Sequence, residues 1–338
     1  MSQFGSPSQL DRRSLLLGGS VAAAGLIGYP LAQRLRWRAP VFVARNQSYA
    51  ADLQRVIEDG LRATGIQPSA LRKKRVLLKP NLVEPTRDAP QITTHPAVVQ
   101  AAAAVFSRWG AAVQVGEGPG HVRDSQLVLD ESGMGEMLRG ERIEFADLNY
   151  EETAWRENRG GASDLEGFHF PRSVLEADLV VSMPKMKTHH WVGVTCAMKN
   201  LYGVIPGIRY GWPKNVLHFG GIPQTVYDIN ASLPPTIAIV DGIECMEGDG
   251  PIMGAMKPMG VLLVGANATA VDATACRLMR VRPDRINYLR LAGNQLGPLD
   301  AHRIPQVGES LEPLAQPFQI LDRPHLRGLA EDDGVMVS

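Results

Sequence analysis

Short apolar runs alternate with segments of helical period along most of this chain, and that alternation limits the fold more than any other feature. The runs are Val41–Arg45, Arg75–Val83, Ala112–Val115, Arg142–Leu148, Leu179–Met183, Pro235–Val240 and Gly260–Val264. Between them, Tyr49–Thr64 spaces Leu53, Val56, Ile57 and Leu61 as a helix does. His95–Trp109 is Ala-rich, with Thr93 or Thr94 as N-cap and Gly110 as its stop. Helices are also expected over Asp124–Leu138, Gln224–Leu233, Ala268–Met279 and Asp284–Leu296. Strands separated by helices predict an α/β fold, a mostly parallel sheet with helices on both faces. Residues 151–172 read as a hairpin or an excursion at the sheet edge. Gly207–Gln224 has no period and reads as a long loop, of a size that in compact domains usually serves as a lid or binding loop. The tail, 300–338, is Pro-rich and polar. Residues 39–338 are thus expected to form a single large α/β domain. A chain of 338 residues, 44% hydrophobic, can supply its core.

An open α/β sheet gathers ligands at the carboxyl ends of its strands. Four such ends carry polar or glycine-rich signatures. Lys79 is followed by Pro80 and Asn81. A lysine there either snorkels at an edge or clamps an anion, and Asn81 either caps a turn or joins the clamp. Glu117 stands in Gly116-Glu-Gly-Pro-Gly120, where glycines let a backbone approach a ligand or simply turn. The pattern is neither a dinucleotide nor a P-loop motif. The richest end is Met183-Pro-Lys-Met-Lys-Thr-His-His190, running on to Asn200. Lys185, Lys187, Lys199, His189, His190 and Asn200 fall within 16 residues. Lys185 and Lys187 alternate in extended chain and so point the same way. They repel unless an anion lies between them, and crowding would lower a lysine pKa enough to make a base or nucleophile. The plainer readings are a solvated basic loop or direct pairing with carboxylates.

The fourth end, Asp241 to Pro251, holds Asp241, Glu244, Glu247 and Asp249, four carboxylates in nine residues. That density suits Mg²⁺, Mn²⁺ or Ca²⁺, or else a solvated acidic loop. Thr195 and Lys199 would share a face if residues 193–203 are helical. His95, at a helix N-terminus, would have its cation disfavoured by the helix dipole. Asp272, in an apolar helix, needs a partner if buried, and a lysine of the rim is the candidate. These readings assign Lys187, His189 and His95 to catalysis. They assign Lys79, Asn81, Lys185, Lys199 and Asn200 to substrate binding, and Glu117, Asp241 and Glu247 to a divalent metal.

Residues 1–38 resemble a twin-arginine export signal. Asp11-Arg12-Arg13-Ser-Leu-Leu-Leu17 carries the resemblance, and a mildly apolar stretch, Leu15–Ala32, accompanies it. The segment is either cleaved or kept as a membrane anchor through residues 15–32; an N-terminal core helix is the alternative. The expected location is exported, periplasmic or membrane-anchored on the periplasmic side, with the twin-arginine export machinery as a partner. The formal charge is zero, but residues 1–38 hold five arginines and one aspartate. The rest then carries 30 basic against 34 acidic residues, which argues against a nucleic-acid partner. Cys196, Cys245 and Cys276 are too few and too widely spaced for a disulfide framework or a CxxC site, and read as buried free thiols.

With these residues assembled, the chain resembles the domain of unknown function 362 family. The matching pieces are Val76-Leu-Leu-Lys-Pro-Asn-Leu-Val83, Thr94-His-Pro96, Gly116-Glu-Gly118, Met183-Pro-Lys-Met-Lys-Thr-His189, Met198-Lys-Asn-Leu-Tyr-Gly203, Asp241-Gly-Ile with Glu247-Gly-Asp-Gly-Pro251, and Ala270-Val-Asp-Ala273. They run in family order. The family is named for having no general assigned activity. Relatives with an appended ferredoxin-like segment are labelled iron–sulfur proteins, but this chain lacks that CxxCxxC pattern. The family usually shows Asp where this chain has Asn267. The expected function is an exported enzyme acting on a small anionic molecule with divalent-metal assistance. A non-catalytic exported ligand-binding protein and a redox or iron–sulfur-associated partner stay open as alternatives.

Overall fold

The computed structural model describes residues 38–331 and 336–337. The export-signal reading of residues 1–38 therefore lies, Arg38 apart, outside the described residues. Among the described residues no helix is long and apolar enough to cross a membrane.

The strands of the central region are β1 (Val41–Ala44), β2 (Arg75–Pro80), β3 (Ala112–Glu117) and β4 (Glu144–Asp147). A two-stranded hairpin follows, β5 (Thr153–Glu157) with β6 (Gly167–Pro171), as expected for residues 151–172. Then come β7 (Leu179–Met183), β8 (Lys185–His189), β9 (Gly193–Thr195), β10 (Thr236–Glu247), β11 (Ala255–Gly265) and β12 (Gln306–Gly308). Ten of these form one sheet in the order β12-β1-β11-β10-β7-β2-β3-β4, with β8 and β9 joined beside β10. Neighbours from β10 to β4 are parallel, and β1 and β12 are parallel to each other. β11 runs against both its neighbours, and β9 against β8. The sheet is mostly parallel, with helices on both faces.

Strand pleating explains why both faces are covered. Successive side chains point to opposite faces, and here both sets are apolar. Leu77, Val180, Ala238, Val240 and Leu263 enter one core with helices Ile222–Ser232 and Ala268–Leu278. Val76, Leu78, Val181, Ile237, Ile239 and Leu262 enter the other, with helices Leu53–Ala63 and Pro96–Arg108.

Several expectations change in detail. Residues 124–138 form two helices, Ser125–Glu131 and Met134–Glu141, separated at Gly133, whose φ of 73° is left-handed. Residues 207–224 are not irregular: two short helices, Gly207–Tyr210 and Asn215–Phe219, precede Ile222–Ser232. The helix expected over Asp284–Leu296 is shorter: Asp284 lies in a 3-10 turn, Pro283–Arg285, ahead of the helix Asn287–Ala292. The polar tail contributes β12, paired with β1. The run 241–247 is no acidic loop but the outer half of β10, held in register with β11. Thr195 ends β9, so it does not share a helix with Lys199, which sits in Ala197–Asn200. All three cysteines are buried and free.

Candidate functional site

The site is built on two buried ion pairs. At the end of β2, Lys79 Nζ donates to Glu117 Oε2 at 2.6 Å, to Pro80 O at 2.8 Å and to Asn200 Oδ1 at 3.1 Å. Glu117, at the end of β3, also accepts from the backbone N–H groups of Leu82 and Gly118. Asn200 Nδ2 donates back to Lys79 O. Gly203 packs so closely that a Cβ there would lie 2.5 Å from Glu117 Oε1 and from Lys79 Nζ. Burial lowers the Lys79 pKa, and the Glu117 charge opposes the shift.

The second pair joins Lys185 of β8 to Asp241 of β10 at 2.6 Å, both fully buried. Tyr49 OH lies 2.8 Å from Lys185 Nζ and 3.3 Å from Asp241 Oδ1. Asp241 also accepts from the N–H groups of His95 and Ile243. The His95 ring stacks on Tyr49 at 3.7 Å, and its Nδ1 accepts from Ala97 N as the cap of helix Pro96–Arg108. Burial lowers its pKa. Glu247 pairs with a third lysine, Lys257, at 3.1 Å. The three carboxylates read as metal ligands, Glu117, Asp241 and Glu247, are therefore not brought together; each faces its own lysine. Among the described residues no group of three or more His, Cys, Asp or Glu is placed to hold a metal ion. Asp272 is satisfied without a lysine: it accepts from the N–H groups of Ala197 and Met198 at 2.6 and 3.1 Å. Burial raises its pKa to about 7. Asn267 caps its helix, accepting from Ala270 N and donating to Leu296 O.

Beside the first pair lies a cavity of about 300 Å³. It brings together Lys79, Asn81, Glu117, Lys187, His189, Lys199 and Asn200, and it does not include His95, Lys185, Asp241 or Glu247. Four lysines line it, the fourth being Lys214, against one carboxylate, Glu117. Lys187 is fully buried and donates to Ile92 O at 2.7 Å and Pro251 O at 3.0 Å. Burial, then the charges of Lys185 and Lys199, push its pKa well down. Lys199 lies over the Tyr202 ring at 4.2 Å, and burial followed by Lys79 lowers it to about 8. Lys214 donates to Gly118 O at 2.9 Å, Gly203 O at 3.2 Å and Tyr202 O at 3.5 Å. Burial draws it toward about 7, with Glu117 opposing.

The opposite wall is aromatic. His218 stacks on Tyr202 at 6.0 Å and meets Trp191 edge-on at 5.0 Å. Burial and Lys199 lower His218 to about 4. His189 is buried, and its Nδ1 accepts from Trp191 N at 3.1 Å, which places the neutral ring's proton on Nε2. Burial, then Lys199, push its pKa well below the usual range. Three lining residues carry a buried oxygen with no hydrogen-bond partner among the described residues: Asn81 Oδ1, Thr195 Oγ1 and the Tyr202 hydroxyl.

Lys214, Trp191, Tyr202 and His218 were not singled out by reading the sequence. The aperiodic stretch 207–224 was the available signal for Lys214 and His218. Lys214 itself sits at φ 69°, ψ 46° between two short helices, a left-handed conformation that no periodicity announces.

A thylakoid-associated protein of Synechocystis sp. is 27% identical over 297 residues, covering 83% of this chain and 85% of that protein. A solved structure, the lactate racemase apoprotein of Thermoanaerobacterium thermosaccharolyticum, is 14% identical with a TM-score of 0.42. That match covers 72% of this chain, which spans 58% of the other's length. Residues 76–277, more than half of the chain and all of the cavity's lysines, match the Domain of unknown function (DUF362) family, and the chain belongs to that family.

Proposed function

We propose that this protein is an enzyme acting on a small anionic substrate held in the lysine cavity. One observation carries the reading: four lysines face a single carboxylate around a space of about 300 Å³. Buried like charges without counter-charge are costly, and an anion in that space would offset the cost. The volume falls at the lower end of small-ligand sites, roughly 300 Å³ and upward. Lys187 and Lys199 hold the anion, with Lys79 and Lys214 adding to the field. His189, neutral and with Nε2–H available, is the hydrogen-bond donor and proton carrier. Asn81 and Thr195 supply polar contacts that have no protein partner. His95 and the Lys185–Asp241 pair support the strand ends from outside the cavity.

Glu117 is the one carboxylate at which a divalent ion could meet the substrate, and it would have to exchange Lys79 for the ion. Elemental analysis of natively purified protein tests this: stoichiometric metal would shift Glu117 from counter-charge to ligand. The same preparation, extracted and analysed by mass spectrometry, tests the anion. A panel of carboxylates and phosphates in a thermal-shift assay should stabilise the wild type and lose its effect in Lys187→Met and His189→Ala. Unchanged behaviour in both variants would sink the assignment. A co-purified anion that is never converted would favour a binding protein instead.

The proposal extends to location. The twin-arginine-like sequence in residues 1–38 supports an exported protein, on the periplasmic side of a membrane. The thylakoid association of the Synechocystis relative agrees with a place at a membrane. Fractionation of cells carrying the full chain, against an Arg12→Lys/Arg13→Lys variant, tests it; equal retention of both in the cytoplasm would overturn it.

A further inference from the structure

The four lysines of the cavity differ in what their amines already do. An ammonium has three N–H donors and no acceptor; a neutral amine has two donors and a lone pair. Lys79 uses all three donors, on Glu117, Pro80 O and Asn200. Lys214 also has three acceptors, the carbonyls of Gly118, Tyr202 and Gly203. Three carbonyl oxygens around one nitrogen favour the ammonium form, because a lone pair would face a lone pair, and so oppose the burial that draws its pKa toward about 7. Lys187 has two carbonyl acceptors, so its ammonium form, which a bound anion favours over the neutral amine, keeps one N–H for the cavity. Among the described residues Lys199 has no hydrogen-bond acceptor; it lies against the π face of Tyr202. It is also the one of the four that is partly open to solvent, while the other three are closed to it.

We propose that Lys199 is the nucleophile of this site and that the substrate is an anion bearing a carbonyl group, a 2-oxo acid or an aldehyde acid, captured as an imine. This rests on the anion-site reading and adds the reacting group. The Lys199 nitrogen forms the new C–N bond while the carbonyl π electrons move to oxygen. The two amine protons leave with that oxygen as water, and C=N remains, so no outside oxidant or reductant is required. Lys187, with one N–H free, and the fixed ammonium of Lys79 hold the carboxylate. His189 also lines the cavity, and its Nε2–H would donate to the carbonyl oxygen and carry its proton. A pKa near 8 leaves a large share of Lys199 neutral in mildly alkaline solution.

The test uses the full chain, glyoxylate as the carbonyl probe, cyanoborohydride as the hydride donor that traps the imine, and oxalate as an anion that cannot form one. Trapped glyoxylate leaves a carboxymethyl group on the lysine, located by peptide mass spectrometry. At pH 8, Lys199 should be labelled on the order of tenfold faster than surface lysines, the excess of neutral amine being partly offset by its weaker basicity. Oxalate should suppress that label. Lys199→Arg, shown to be folded by circular dichroism, should show no label in the cavity. Oxalate binding with the label on Lys214, on Lys187 or spread over the surface would overturn the nucleophile assignment and leave the anion site standing. Neither oxalate binding nor a preferred lysine would overturn both.

Discussion

Glu117→Gln is the most direct perturbation of this site. The change is isosteric, keeps one oxygen as an acceptor for Leu82 N or Gly118 N, and removes the single negative charge among four lysines. Lys79 then remains fully buried with no counter-charge. Breaking a buried ion pair from one side costs about 3–5 kcal/mol. The lysine can limit that loss by releasing its proton. From an unfolded pKa of about 10.4, release costs about 1.4 kcal/mol per pH unit, so about 5 kcal/mol at pH 7 and about 2 kcal/mol at pH 9. In the variant the folded pKa of Lys79 lies far below the unfolded one. The unfolded state therefore binds more protons, and the variant gains stability as pH rises. In the wild type Glu117 opposes the fall of the Lys79 pKa, which makes that gain smaller. Urea unfolding of both proteins at pH 7 and pH 9 should show a loss of about 3–5 kcal/mol that shrinks to about 2 kcal/mol or less. A loss under about 1 kcal/mol at pH 7, or one that does not shrink at pH 9, would refute the role of Glu117 as the counter-charge of the site.

Further consequences separate structure from function. Gly203→Ala places a Cβ 2.5 Å from both Glu117 Oε1 and Lys79 Nζ. It should cost about 1–3 kcal/mol in thermal or urea unfolding, and a neutral result would mean the pair can shift aside freely. Lys185→Met breaks the pair outside the cavity. It should cost about 3–5 kcal/mol while leaving anion affinity within about twofold, measured by calorimetry on the folded variant. Anion affinity of the wild type should fall as pH rises through about 8, because Lys199 is cationic below that value and neutral above it. Titrations from pH 7 to 9 should show this slope in the wild type and lose it in Lys199→Met, and equal slopes would remove Lys199 from the site. In the absence of anion, Lys199→Met should cost no more than about 1 kcal/mol, since the amine has only its contact with the Tyr202 ring to lose and its removal relieves repulsion among the cavity lysines.

Much of the fold was legible because its signals are local. Val76, Leu77 and Leu78 are consecutive and all buried, and only a strand covered on both faces can bury them. Lys79 and Glu117 could be placed at strand ends from the apolar runs before them. What spacing could not convey is the face on which each polar residue leaves the sheet. Asp241 follows Ile237 and Ile239 by twos into one face, whereas Lys79 follows Leu77 into the other. The strand ends thus split into separate ion pairs, and the acidic run at 241–247 became strand through its register with β11.

By itself, the sequence determined that the chain is a mostly parallel α/β domain with a cationic cluster after β7, since hydrophobic period and strand-end position are properties of neighbouring residues. Only the tertiary structure decided which lysines are spent on carboxylates and which remain. Lys79 and Lys185 meet Glu117 and Asp241 across 38 and 56 residues of chain, and Lys214 reaches the Gly118 carbonyl across 96. Such pairings depend on how distant segments pack, and a charge's partner cannot be read from its neighbours along the chain. Lys199 differs from Lys79 for that reason alone: the fold supplies three acceptors to one amine and an aromatic face to the other.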